Sequence, residues 1–119
     1  MAKTTTKIDT VSLTGRSGRQ YEFRVYVWDT KFKSLPGIYL VASRAMEPGQ
    51  KPIYSTLFVG ATGDLSKALK SHPRAECFQM YYANVVGVLR EERDGEREHI
   101  AADLVETLTP PCNSTDTEW

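Results

Sequence analysis

Two apolar runs separated by turn residues lie between Gly37 and Gly60, and they constrain the fold more than any other stretch. The first is Pro36-Gly37-Ile38-Tyr39-Leu40-Val41, and the second ends in Leu57-Phe58-Val59-Gly60. Glu47-Pro48-Gly49-Gln50-Lys51-Pro52 between them is turn material, so the pattern predicts two strands joined by a loop. In the first strand Ile38, Leu40 and Ala42 point one way, and Tyr39, Val41 and Ser43 the other. The second covers about 53–59. Gly60-Ala61-Thr62-Gly63 then turns the chain, and Asp64 is a good N-cap. Leu65, Ala68 and Leu69 have helical spacing, which predicts a short helix over roughly 64–71, stopped by Ser71-His72-Pro73.

The flanks follow the same logic. Thr10-Val11-Ser12-Leu13 and the alternating Tyr21, Phe23, Val25 and Val27 make a hairpin around Gly15-Arg16-Ser17-Gly18. Aromatic and β-branched residues from Cys77 to about Leu89 predict one strand, or two broken near Ala83-Asn84. A helix is expected from Glu96, with Asp94 or Gly95 near its cap. Ile100, Leu104 and Leu108 give it one apolar face, and Pro110-Pro111 ends it. Residues 1–9 and 114–119 read as polar tails. The expected fold class is α/β (α+β), a small mixed or antiparallel sheet flanked by helices with an added N-terminal hairpin. It forms one domain over 10–113, with its core at 35–113.

A chain of 119 residues that is 40% apolar can bury a real core. Lysine plus arginine equals aspartate plus glutamate, at 15 each, so any polyanion binding must come from a local patch. Cys77 and Cys112 lack the spacing of a disulfide framework or a zinc site, and are expected as free thiols in a reducing cytosol. Sharing a metal with His72 and His99 finds no support in their spacing. No stretch is long and apolar enough to cross a bilayer, and the N-terminus lacks a signal-peptide run, so a cytoplasmic protein without membrane association is expected.

Four elements in order carry a resemblance. They are Gly37-Ile38-Tyr39, Phe58-Val59-Gly60, the Asp64-Leu65 helix start, and Pro110-Pro111-Cys112-Asn113 behind an amphipathic helix. Together they resemble the GIY-YIG nuclease family over residues 35 to 113, with a longer loop between the tripeptides than is usual there. The resemblance implies a three-stranded sheet flanked by helices. It also implies metal-assisted phosphodiester hydrolysis, in which a tyrosine helps deprotonate water, a glutamate ligates Mg2+ or Mn2+, and an arginine offsets charge on the phosphate. Carried over residue by residue, Tyr39 holds the general-base position and Phe58 the second tyrosine position. The arginine position falls on Ala68 and the glutamate position on Ala101, so both essential side chains are lost. The helix carrying Ala101 should lie beside the Tyr39 ring.

What remains implies a catalytically impaired relative that binds DNA without efficient cleavage. Gly37, Gly60 and Asn113 keep the motif frame, and Lys67, Lys70, His72 and Arg74 form a basic cluster able to hold a phosphate backbone. One alternative is a weak Mg2+- or Mn2+-dependent endonuclease using Tyr39 and Glu98, the latter one helical turn from Ala101. A third is a protein-interaction or structural domain presenting Tyr26 and Trp28 from the hairpin.

Overall fold

A computed structural model describes residues 7–113. Of the expected tails, residues 1–6 and 114–119 lie outside the described residues, while Asp9 already belongs to a strand. The elements run β1 (Asp9–Thr14), β2 (Gln20–Val27), β3 (Gly37–Ala45), β4 (Ile53–Thr62), α1 (Ala75–Met80), β5 (Val85–Arg90) and α2 (Asp94–Leu108), closed by a 3-10 turn at Pro111–Asn113. The strands form one antiparallel sheet in the order β1-β2-β5-β3-β4. This is the expected α+β class. The hairpin is continuous with the sheet, because β5 returns to pair with both β2 and β3.

β3 is the centre. Gly37 through Ala42 are all buried, so both faces of this strand are covered. Its alternation sorts the core into two clusters, one on each face. Ile38, Leu40 and Ala42 join Tyr21, Phe23, Val25, Val59 and the α2 residues Ile100 and Leu104. Tyr39 and Val41 join Leu57, Leu65, Phe78 and Cys112. α2 therefore seals one face, and the chain from Leu65 to Phe78 covers part of the other.

Two expected elements are different. Residues 64–71 are not a helix but successive turns, with N–H groups bonding three residues back (Lys67 to Asp64, Ala68 to Leu65, Lys70 to Lys67). Ser71 then adopts φ 49°, which ends any right-handed path. Asp64 does act as a local cap: its carboxylate accepts from the Ser66 amide at 2.9 Å and the Ser66 hydroxyl at 2.6 Å. The strand expected over 77–89 is instead α1 followed by β5. Phe78 is the one buried residue of α1. The helix closes on Tyr82 at φ 61°, with the Ala83 amide bonded to the Phe78 carbonyl, a left-handed C-terminal cap. α2 begins at Asp94, two residues before the expected start, and ends at Thr109 (φ 40°) and Pro110.

The cysteines are also corrected. Cys77 and Cys112 form a disulfide across 35 residues, with Cα atoms 5.8 Å apart. The bond ties α1 to the closing turn. Their distance in sequence hid what the sheet topology brings together.

Candidate functional site

The site begins with Tyr39 and Gly60, cross-strand partners in β3 and β4. The tyrosine ring lies over the glycine. A Cβ on Gly60 would stand 2.8 Å from Tyr39 Cζ and Oη and from Phe58 Cε1. Phe58 stacks on Tyr39 at 5.8 Å between centroids. His72 meets Phe58 edge-on at 4.8 Å and Phe78 at 4.9 Å. Phe78 in turn receives the Trp28 ring at 6.0 Å. Trp28 is therefore half-buried in this cluster rather than a free exposed aromatic, and Tyr26 is half-buried with its edge against Phe32 at 5.3 Å.

Hydrogen bonds fix the polar atoms of this aromatic nest. The Arg74 amide donates to His72 Nδ1 at 3.0 Å. The neutral ring then carries its proton on Nε2, 2.8 Å from Tyr39 Oη. Burial, then the nearby Arg74 charge, lowers the His72 pKa and keeps the ring neutral. Burial pushes the Tyr39 hydroxyl up to about 12. At neutral pH Tyr39 is thus a phenol, a hydrogen-bonding group and not a phenolate base.

Asn113 braces the neighbouring edge strand. Its side-chain oxygen accepts from the Val59 amide at 2.8 Å, and its side-chain nitrogen donates to the Val59 carbonyl at 2.9 Å. One side chain thus takes the place of a strand partner on β4.

The residues singled out in the sequence separate into two groups. Tyr39, Phe58, Gly60 and His72 come together, and Ala68 packs on the same cluster. Gly37 lies at the start of β3, with Leu65 beside it. Lys67 and Lys70 are exposed on the turns, and Arg74 is half-buried before α1. Ala101 is not with them. It packs against the cluster on the opposite face of the sheet from Tyr39, because Ile100 and Leu104 draw α2 onto Ile38, Leu40 and Val59. Glu98 is exposed on that same helix. Among the described residues, no three His, Cys, Asp or Glu side chains could hold a metal ion. The side chains that meet the Tyr39 ring and hydroxyl among the described residues, Phe58 and His72, carry no carboxylate, so they do not fit a hard divalent cation.

A second feature was not legible as a site. Beside Tyr39, on the same sheet face, lies a groove of about 740 Å3. The register runs Thr10, Arg24, Val88, Tyr39, Gly60 across all five strands, so one transverse row joins groove and aromatic nest. Lys7, Arg24, Lys31, Lys33 and Arg90 line the groove, against one acid, Glu22. Among the described residues, Arg90 pairs with Glu92, and the other four cations have no ion-pair partner. The other side of the molecule carries an excess of acids. α2 holds Asp94, Glu96, Glu98, Asp103 and Glu106 against Arg97, with Arg16 and Arg19 of the β1–β2 turn paired to Glu106 and Glu96. A chain of zero net charge is thus polarised across its sheet.

Asp103 also went unrecognised, because its place on the helix gave no hint of its partners. It is buried and accepts from the Ser17 amide at 2.9 Å, the Ser17 hydroxyl at 2.7 Å and the Tyr21 hydroxyl at 2.7 Å. These bonds hold its pKa below the usual carboxylate value and lock the hairpin onto α2. No family model, curated protein or solved structure matches the chain.

Proposed function

We propose that this protein binds the phosphodiester backbone of nucleic acid, DNA in the first instance, without cleaving it. The observation that carries the reading is the groove: five cations against one acid, on one face of a neutral chain. Such a patch attracts phosphates locally even though the chain as a whole carries no net charge. Kinship with GIY-YIG nucleases belongs to the same proposal. It is supported by the contact of Tyr39 with Gly60, which joins the two tripeptides. The position of Ala101 on the other core, across the sheet from Tyr39, counts against the kinship itself as well as against carrying over the family's metal chemistry.

Cleavage by Tyr39 and Glu98 has no supporting geometry. One hydroxyl stays protonated at neutral pH, and the carboxylate is exposed on the helix across the sheet. A plasmid-nicking assay with Mg2+ or Mn2+ should show no nicking. Among the described residues no helix is long and apolar enough to cross a membrane. A cytoplasmic setting is part of the proposal, and the Cys77–Cys112 disulfide counts against it, because a reducing cytosol keeps such pairs as thiols.

Fluorescence polarisation with labelled oligonucleotides tests the reading. Five phosphate contacts on a single strand would weaken binding about a hundredfold between 50 and 200 mM salt. Arg24→Glu with Lys33→Glu should remove binding and leave the fold intact. Absence of micromolar binding at any salt concentration would overturn it. A protein partner is a second reading, favoured by the run Met80, Tyr81 and Tyr82 at the end of α1, exposed by 69%, 43% and 81%. Size-exclusion chromatography with light scattering separates the two.

A further inference from the structure

Resting on that reading, we propose that the groove takes a single strand, its bases lying against Tyr26 and Phe32 and its phosphates on the surrounding cations. The cations of the groove stand on strands β2 and β5, just before β1, and on the connector that carries Lys31 and Lys33. Between them the lining is aromatic and aliphatic, with Tyr26, Phe32, Leu35 and Val88. A duplex buries its base faces within its own stack and offers a surface only phosphates, sugars and base edges. It would meet the cations and leave the rings wet. A single strand has free base faces, and stacking on an aromatic ring is tolerant of base identity.

Size and rigidity agree. A volume of about 740 Å3 lies within the range of about 300–1,000 Å3 that encloses drug-sized organic molecules, a scale suited to unstacked nucleotides rather than to a double helix. Tyr26 and Phe32 brace each other edge-to-face at 83°, so neither ring needs to be ordered when a base arrives. Both are only partly buried and both line the groove, which leaves part of each ring for a base. Arg24, two residues before Tyr26 on the same sheet face, puts a planar cation next to the rings. Ribose and deoxyribose strands share this chemistry, and the test includes both.

The experiment is a competition at fixed salt among oligo-dT, oligo-U and a duplex of equal length, read by fluorescence polarisation on the full chain. Single strands should bind at least tenfold more tightly than the duplex. Tyr26→Ala should weaken single-strand binding about tenfold and change duplex binding less than twofold. Phe32→Leu keeps apolar packing while removing the ring, and should do the same with an unchanged circular dichroism spectrum. Equal affinity for duplex and single strand, or aromatic variants that bind single strands normally, would overturn the inference and leave the broader reading standing. No binding to any of the three would remove both.

Discussion

Tyr39 and Gly60 face each other across the β3–β4 ladder, and the tyrosine ring occupies the space a side chain at 60 would need. Gly60→Ala would place a methyl group 2.8 Å from Tyr39 Cζ and Oη and from Phe58 Cε1. His72 packs against both rings and Phe78 against Phe58, so they cannot simply turn aside. The substitution should cost about 1–3 kcal/mol. Urea denaturation measures it. A midpoint equal to that of the parent would show that the ring does not depend on this glycine.

That contact explains why the centre of the fold was legible. Strict alternation at Ile38–Ala42 and Tyr21–Val27 belongs to strands, and the glycines bracket them in the sequence itself. The stretch 77–89 misled because Phe78, Tyr81 and Tyr82 are strand formers by type, yet a single buried Phe78 anchors a helix turn there. Leu65, Ala68 and Leu69 misled differently, since successive three-residue turns share the spacing of a short helix. The groove was illegible because Lys7, Arg24, Lys31, Lys33 and Arg90 meet only through strand pairing. Ala101 was misplaced because counting along a motif does not say which sheet face a helix covers.

His72 makes stability depend on pH in a window of its own. Its folded pKa lies below the ordinary histidine value of 6.5, from burial first and Arg74 second. Between those two values the unfolded chain binds a proton that the folded ring refuses, so stability is full above about 6.5 and falls as pH drops through the folded pKa. The lowered pKa values of Asp9, Asp64 and Asp103 act only below the ordinary aspartate value of 3.8. Urea midpoints at pH 7.5 and 5.5 should differ for the parent protein and converge for His72→Gln. A parent midpoint that is flat across this interval would show that the ring is protonated without penalty.

The Asp103 knot should matter more to the fold than any surface ion pair. Tyr21→Phe removes one donor to the Asp103 carboxylate and should lower the denaturation midpoint. Asp103→Asn disturbs all three bonds at once and should lower the denaturation midpoint further. It should also flatten the acid limb, because the stability carried by a depressed carboxylate pKa is lost as pH falls through it. By contrast, Arg16→Ala breaks an exposed pair with Glu106 and should be near neutral. If Arg16→Ala and Asp103→Asn shift the midpoint equally, the knot is not what joins hairpin to helix.

The disulfide closes a loop that contains β5 and α2 and delivers Asn113 to the edge of β4. Cys77→Ser with Cys112→Ser should lower stability by about 2–4 kcal/mol, most of it through the greater freedom of the unfolded chain. The effect should also be local. With the closing turn released, the Val59 amide loses its cover from Asn113, and its hydrogen exchange should speed up more than that of Leu40 at the sheet centre. Asn113→Ala in the oxidised protein should expose the same amide without touching the bond, so the two variants separate the staple from the clamp. Unchanged exchange at Val59 in the double serine variant would mean that Pro110 and Pro111 alone hold Asn113 in place.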